Sequence, residues 1–155
     1  MFDLVVKYAA PLKHVPPLPH VFDALLKIWS LLSNRNLLDY LDELEREVLL
    51  WKGTSIVIHK YGGTQFNYHG KELGHIHGNG LLDVLFNRKV KAELIQKYTL
   101  NEHHIFKDSG WISFKIKNPE DKQIAIELLR LAYVSKSLTP APLPEERGGI
   151  LLDDR

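Results

Sequence analysis

Two histidines, His75 and His77, stand two residues apart in the stretch ELGHIH, whose alternating pattern predicts a β-strand. Because successive side chains of a strand point to opposite faces, both imidazoles leave the same face and can converge on one ligand or metal ion. Asp83 follows a few residues later, after the turn sequence Gly-Asn-Gly. Two histidines and one carboxylate are a ligand set suited to a divalent ion such as non-haem iron. The sequence therefore offers His75, His77 and Asp83 as a candidate metal site, with a divalent metal ion as the candidate cofactor.

The register of the hairpin decides which way these histidines face. A two-residue turn at 79–80 would direct both rings toward the apolar side chains of the next strand and make them structural. A three-residue loop at 78–80 would place His75 opposite Asp83. We expect the three-residue loop, because each buried imidazole without partners costs about 1 to 3 kcal/mol. In that register we expect His75 and His77 to be exposed on the Asp83 side.

Three further residues could belong to a ligand-binding site. His103 and His104 are adjacent in a predicted loop, where they either complete a histidine cluster or cap the neighbouring helix and strand. Trp111 opens the following strand and is either an aromatic platform for a ligand or a half-buried packing residue. The candidate ligand-binding set is therefore His75, His77, His103, His104 and Trp111.

The sequence argues against several classes of protein. Cysteine is absent, which excludes disulfides, thiolate nucleophiles and cysteine-based metal sites. A net charge of +1 disfavours a general nucleic-acid binder. The signatures GxxxxGK[ST], GxGxxG, GxSxG and HExxH are missing, so no catalytic residue is identified.

The longest apolar stretch, VFDALLKIWSLL, is interrupted by charges and is shorter than the ~20 residues that span a bilayer. The amino terminus lacks the pattern of a signal peptide. We expect a cytoplasmic, soluble protein with neither a membrane nor a nucleic acid as its partner.

The elements that position these residues follow from local periodicity. Helical spacing predicts a first helix over 20–33, mostly covered because it is apolar on several sides, and an amphipathic second helix from residue 37. A period of two then predicts four antiparallel strands between 53 and 86, followed by a helix at 88–98 and a fifth strand at 111–116. Asn118 and Pro119 mark the start of a final helix with an apolar stripe through Ile124, Leu128, Leu131 and Ala132.

These elements predict one α+β domain: an antiparallel sheet of about five strands, with two amino-terminal and two later helices packed on one face and the other face partly open. Residues 1–20 are predicted to be an extended, proline-rich segment and residues 21–137 the single domain. Residues 138–155, rich in proline, glycine and charge, are predicted to be a flexible tail.

The runs GTQFNYHGKELGHIHGNGLLDVLFNRKVKAELI, EHHIFKDSGWISFKI and EDKQIAIELLRLAYVS resemble the small luciferase-domain family in order and spacing, over about residues 55 to 136. The resemblance implies a compact α+β fold and a luciferase-like domain, and it assigns no reaction. The order of strands, helix, strand and helix also resembles the YjbR-like architecture, an analogy of fold alone.

Three functions fit these observations. The first is a small ligand-binding domain with a histidine-lined site. The second is a metal-dependent oxygenase or hydrolase that uses His75, His77 and Asp83. The third is a non-catalytic subunit or interaction module, in which a partner covers the apolar first helix.

Overall fold

The computed structural model describes residues 18–97, 101–102 and 109–138. These residues form four helices and one six-stranded antiparallel sheet, which confirms the predicted α+β class. The helices are α1 (Leu18–Ser33), α2 (Asn36–Leu49), α3 (Arg88–Lys97) and α4 (Pro119–Ser137). The strands are β1 (Thr54–Ile58), β2 (Thr64–Tyr68), β3 (Lys71–Ile76), β4 (Leu81–Leu85), β5 (Asn101–Glu102) and β6 (Trp111–Lys115).

The strands are arranged in the order β1-β2-β3-β4-β6-β5. The first four form a meander, as their short connections require. Strand β5 was not predicted: residues 101–102 were assigned to a loop, but they pair with Ser113 and Ile112 of β6. Two residues are too few to show an alternating pattern, so only their pairing with β6 reveals them as a strand.

One face of the sheet carries the hydrophobic core. Phe66, Val84 and Ile112 lie on this face in register across β2, β4 and β6, and each is fully buried. Helices α2 and α4 complete the core with side chains such as Leu44 and Leu128. Two helices on one face of an antiparallel sheet leave the opposite face free to carry polar groups.

Helix α4 begins as its sequence predicts. The Asn118 side chain accepts a hydrogen bond from the Asp121 backbone N–H at 2.7 Å, and Pro119 occupies the first turn, where a missing N–H costs nothing. The predicted stripe needs one correction, because Leu131 is 43% exposed whereas the neighbouring Leu129 is fully buried. The core side of the helix is therefore turned toward Leu128 and Leu129.

Helix α1 differs from its prediction. It begins at Leu18, two residues earlier than expected, with Pro19 in its first turn. The expectation that it is mostly covered is wrong, since Leu25, Trp29 and Leu32 are each more than half exposed. An apolar composition shows that a helix has a surface to bury, but it does not show that the same chain buries it.

The amino-terminal and carboxy-terminal boundaries of the domain stay predictions. Most of the 1–20 segment and the 138–155 tail lie outside the described residues, which begin at residue 18 and end at residue 138. Among the described helices, none has the length and apolar character needed to cross a membrane.

Leu128→Ala should lower the free energy of unfolding by about 2 to 5 kcal/mol, because the substitution leaves a cavity in the core between α4 and the sheet. Urea denaturation followed by circular dichroism measures the change. Leu131→Ala is the matched control on the same helix, and its effect should stay within about 0.5 kcal/mol, as for surface positions. Equal losses for the two variants would contradict this orientation of α4.

Candidate functional site

A row of polar residues crosses the sheet on the face opposite the core. Gln65 on β2 pairs with His75 on β3, His75 pairs with Asp83 on β4, and Asp83 pairs with Ser113 on β6. Directly paired residues of antiparallel strands share a face, so these four side chains form one line, which we call the polar row. The pairing of His75 with Asp83 confirms the three-residue loop.

The loop at 78–80 is closed by backbone hydrogen bonds and anchored from α1. The His77 N–H donates to the Leu81 carbonyl at 2.9 Å, and the Gly80 N–H donates to the His77 carbonyl at 2.8 Å. The buried Asp23 carboxylate of α1 accepts the Gly78 N–H at 2.8 Å. Gly80 has a φ of +82°, a conformation that favours glycine. The loop therefore holds His77 in place beside β4.

Two imidazoles and one carboxylate converge at the polar row. The Oδ2 atom of Asp83 lies 3.5 Å from the Nε2 atom of His75 and 3.8 Å from the Nε2 atom of His77. The three candidate ligand atoms lie within 4.8 Å of one another. The other oxygen of Asp83, Oδ1, accepts a hydrogen bond from the Ser113 hydroxyl. The predicted trio of His75, His77 and Asp83 is thus brought together with a geometry that can hold a metal ion.

The expectation that both histidines are exposed is wrong for His75. This residue is 8% exposed and Asp83 is 1% exposed, whereas the His77 side chain is 18% exposed. Aromatic rings account for part of the burial, because the His59 ring stacks on His75 at 3.8 Å between centroids and the Trp111 ring lies at 5.4 Å. The site is therefore an enclosed polar cluster rather than an open sheet face.

A β-bulge adds a second carboxylate to the cluster. Phe66 pairs with Gly74 but the next residue, Asn67, pairs with Glu72, so Leu73 is an extra residue in β3. The bulge moves Glu72 onto the face of His75, although an uninterrupted strand would put residues three apart on opposite faces. The Glu72 Oε1 atom lies 2.7 Å from the Nδ1 atom of His75. His75 therefore contacts a carboxylate through each of its ring nitrogens.

His59 also belongs to this cluster, although the sequence analysis did not propose it as a site residue. It follows β1, pairs with Gly63 through a 3.0 Å backbone hydrogen bond, and is 4% exposed. Among the described residues, its Nδ1 atom has no hydrogen-bond partner. The signal for His59 was its spacing, since it lies two residues after Val57, which pairs with Gln65 of the polar row.

The remaining candidates have different outcomes. Trp111 is half-buried and lies on the polar face beside His75, so the structure brings it together with the histidine pair. His103 and His104 lie outside the described residues, and their place in the site stays a prediction.

The charges in the cluster are coupled. Burial, with a further contribution from the neighbouring His75, lowers the pKa of His59 to about 4. Burial also disfavours a charged His75, but Asp83 and Glu72 outweigh that effect and raise the pKa of His75 above its ordinary value. Burial opposes ionisation of Glu72, yet its hydrogen bond with His75 contributes to a net lowering of the pKa of Glu72. An ionic His75 with carboxylates on both sides is therefore favoured.

One comparison with known proteins matches the part of the chain that carries most of the site. The family model described as Luciferase domain matches residues 70–132. This part of the chain is similar to the luciferase-domain family. The match confirms the resemblance seen in the sequence, and no curated protein or solved structure shows a significant match. The matched residues include Glu72, His75, His77 and Asp83, whereas His59 precedes them.

His59→Phe should remove the contribution of His59 to the pH dependence of the free energy of unfolding. The folded pKa of His59, about 4, is below the unfolded value of ~6.5, so the unfolded chain takes up the extra proton as the pH falls and wild-type stability decreases. Relative to His59→Phe, which keeps the stacked ring, the wild type should lose on the order of 2 kcal/mol between pH 7.5 and pH 5. Urea unfolding of chelator-treated protein at each pH measures the difference.

The exposed residue His20 provides the control for this experiment. His20→Ala should follow the wild-type curve throughout the same pH range. If the curves of the wild type and His59→Phe run parallel, His59 does not titrate in the way its burial requires.

Proposed function

We propose that this protein binds a divalent transition-metal ion through the Nε2 atoms of His75 and His77 and the Oδ2 atom of Asp83. The observation that carries the proposal is the approach of both imidazoles to one carboxylate oxygen, at 3.5 and 3.8 Å. Nitrogen and oxygen ligands bind such ions at about 2.0 to 2.2 Å, so ligands of one ion lie roughly 3 Å apart. A small contraction of the cluster is enough to form the site.

The groups around the trio support this assignment. Metal-binding histidines usually engage a carboxylate or carbonyl through their other nitrogen, which fixes the tautomer and the direction of the ring. Glu72 occupies that position on the Nδ1 atom of His75, and Ser113 holds the Oδ1 atom of Asp83. In this arrangement the Nδ1 proton of His75 points at Glu72 and leaves the Nε2 lone pair for the ion.

The charge of the cluster also suits a cation. Asp83 is nearly inaccessible to water and Glu72 lies within contact of the same histidine, so two carboxylates share one imidazole. Buried charges are normally paired or bound to metals. Because binding requires a neutral His75, uptake of the ion should release a proton. The nitrogen and oxygen donors are suited to ions such as Zn²⁺ or Fe²⁺.

Three protein ligands leave coordination positions open, as in catalytic metal sites. We infer that a small ligand occupies these open positions, which makes the protein a small ligand-binding domain with a histidine-lined site. The open positions also favour a second candidate, a metal-dependent oxygenase or hydrolase, in which they hold water, dioxygen or substrate.

Chelator-treated full-length protein should bind one Zn²⁺ or Co²⁺ ion per chain in isothermal titration calorimetry. The double variant His75→Ala with His77→Ala, and the single variant Asp83→Asn, should weaken binding at least a hundredfold, because each removes ligands or ligand charge. His20→Ala, an exposed histidine, should bind as the wild type does. Circular dichroism checks that each variant is folded. Equal affinity of the wild type and a folded double variant would disprove the site.

Glu72→Gln should weaken metal binding about 10- to 100-fold with the stoichiometry unchanged, since Glu72 orients His75 from outside the ligand set. Competition with a chromogenic chelator measures the affinity. Glu120→Gln, at the exposed start of α4, is the control. An unchanged affinity for Glu72→Gln would show that His75 does not depend on this carboxylate.

A further inference from the structure

Helix α1 exposes a line of apolar residues with coiled-coil spacing. Successive members are three, four, three and four residues apart, which is the spacing of heptad positions a and d. Their exposed fractions run from 40% at Leu18 to 76% at Leu32. This line, which we call the α1 seam, consists of Leu18, Val21, Leu25, Ile28 and Leu32.

The opposite side of α1 attaches the helix to the domain. Asp23 and Ser30 are 5% and 3% exposed, and in the heptad they occupy the positions farthest from the α1 seam. Asp23 holds the Gly78 N–H of the loop beyond β3. Because these contacts attach the opposite side of α1 to the domain, the α1 seam faces away from the domain and can pack against another helix.

We propose that the α1 seam pairs with the α1 seam of a second copy of this chain. Together with Trp29, which is 67% exposed, it offers roughly 700 Å² if a large side chain has an area on the order of 200 Å². This area is close to the ~800 Å² per partner of a standard interface and above the apolar patch of a typical monomer. The surface is therefore large enough for a stable dimer.

The charges around the helix favour a second copy over a lipid surface. The seam contains no charged residue, so two identical seams meet without like-charge repulsion in a two-fold interface. Helices that bind membrane surfaces are typically rich in Lys and Arg on their polar face. In α1, Lys27 is the one Lys or Arg, and it lies beside Asp23, 3.5 Å from that carboxylate.

Size-exclusion chromatography with multi-angle light scattering tests the proposal on the full chain. The wild type should have twice the 17.8 kDa mass of one chain. Leu25→Glu and Ile28→Glu should give monomers with unchanged helical circular dichroism. Leu50→Glu is the control, since Leu50 is 80% exposed at the end of α2 and is not a member of the α1 seam, and this variant should stay dimeric.

Cross-linking gives a second test that does not depend on how a charged variant folds. Leu25 is the central member of the α1 seam, so it approaches its own copy whether the helices run parallel or antiparallel. Because the chain has no cysteine, Leu25→Cys should form a disulfide-linked dimer under mild oxidation and Leu50→Cys should not. A monomeric wild type without this cross-link would overturn the proposal, and a monomer that co-sediments with phosphatidylcholine vesicles would assign the seam to a lipid surface.

Discussion

The register between β3 and β4 is the constraint on which both the core and the site depend. It places Gly74 opposite Val84 on the core face and His75 opposite Asp83 on the polar face. A shift of one residue would exchange the two faces of a strand. The three-residue loop that sets this register is held at three points, from α1 and from the end of β6. Asp23 accepts the Gly78 N–H, Lys115 donates to the Asn79 carbonyl, and the Ile116 N–H donates to the Gly80 carbonyl.

A buried polar row is unusual in a sheet, because each of its members must be hydrogen-bonded or ion-paired to offset its lost hydration. Most of the cluster meets this requirement internally, through contacts such as those of His75 with Glu72 and of Asp83 with Ser113. Among the described residues, the Nδ1 atom of His59 is an exception. Departures from a consistent apolar core tend to occur where a protein has a function to perform. The polar row therefore combines a stability cost with a concentration of reactive groups.

Local patterns were sufficient to predict much of this molecule. Asn118 and Pro119 fixed the start of α4, alternation located the long strands, and the cost of burying imidazoles among apolar groups selected the correct hairpin loop. The site was predicted only in part, because Glu72 and His59 join it through a bulge and through pairing across strands. Gly74 was an available signal for the bulge, since glycine inside a strand often marks one. The composition of α1 could not predict that its apolar residues are exposed.

The bulge at Leu73 makes the pairing of β3 as important as its composition. In an uninterrupted ladder that kept Gly74 opposite Phe66, Leu73 would pair with Asn67 and Glu72 would pair with Tyr68. Glu72 would then lie on the face covered by the helices instead of beside His75. The contact between Glu72 and His75 therefore requires both their spacing of three residues and the bulge between them. Among relatives of this domain, conservation of the spacing between Glu72 and His75 is consequently as informative as conservation of the two residues themselves.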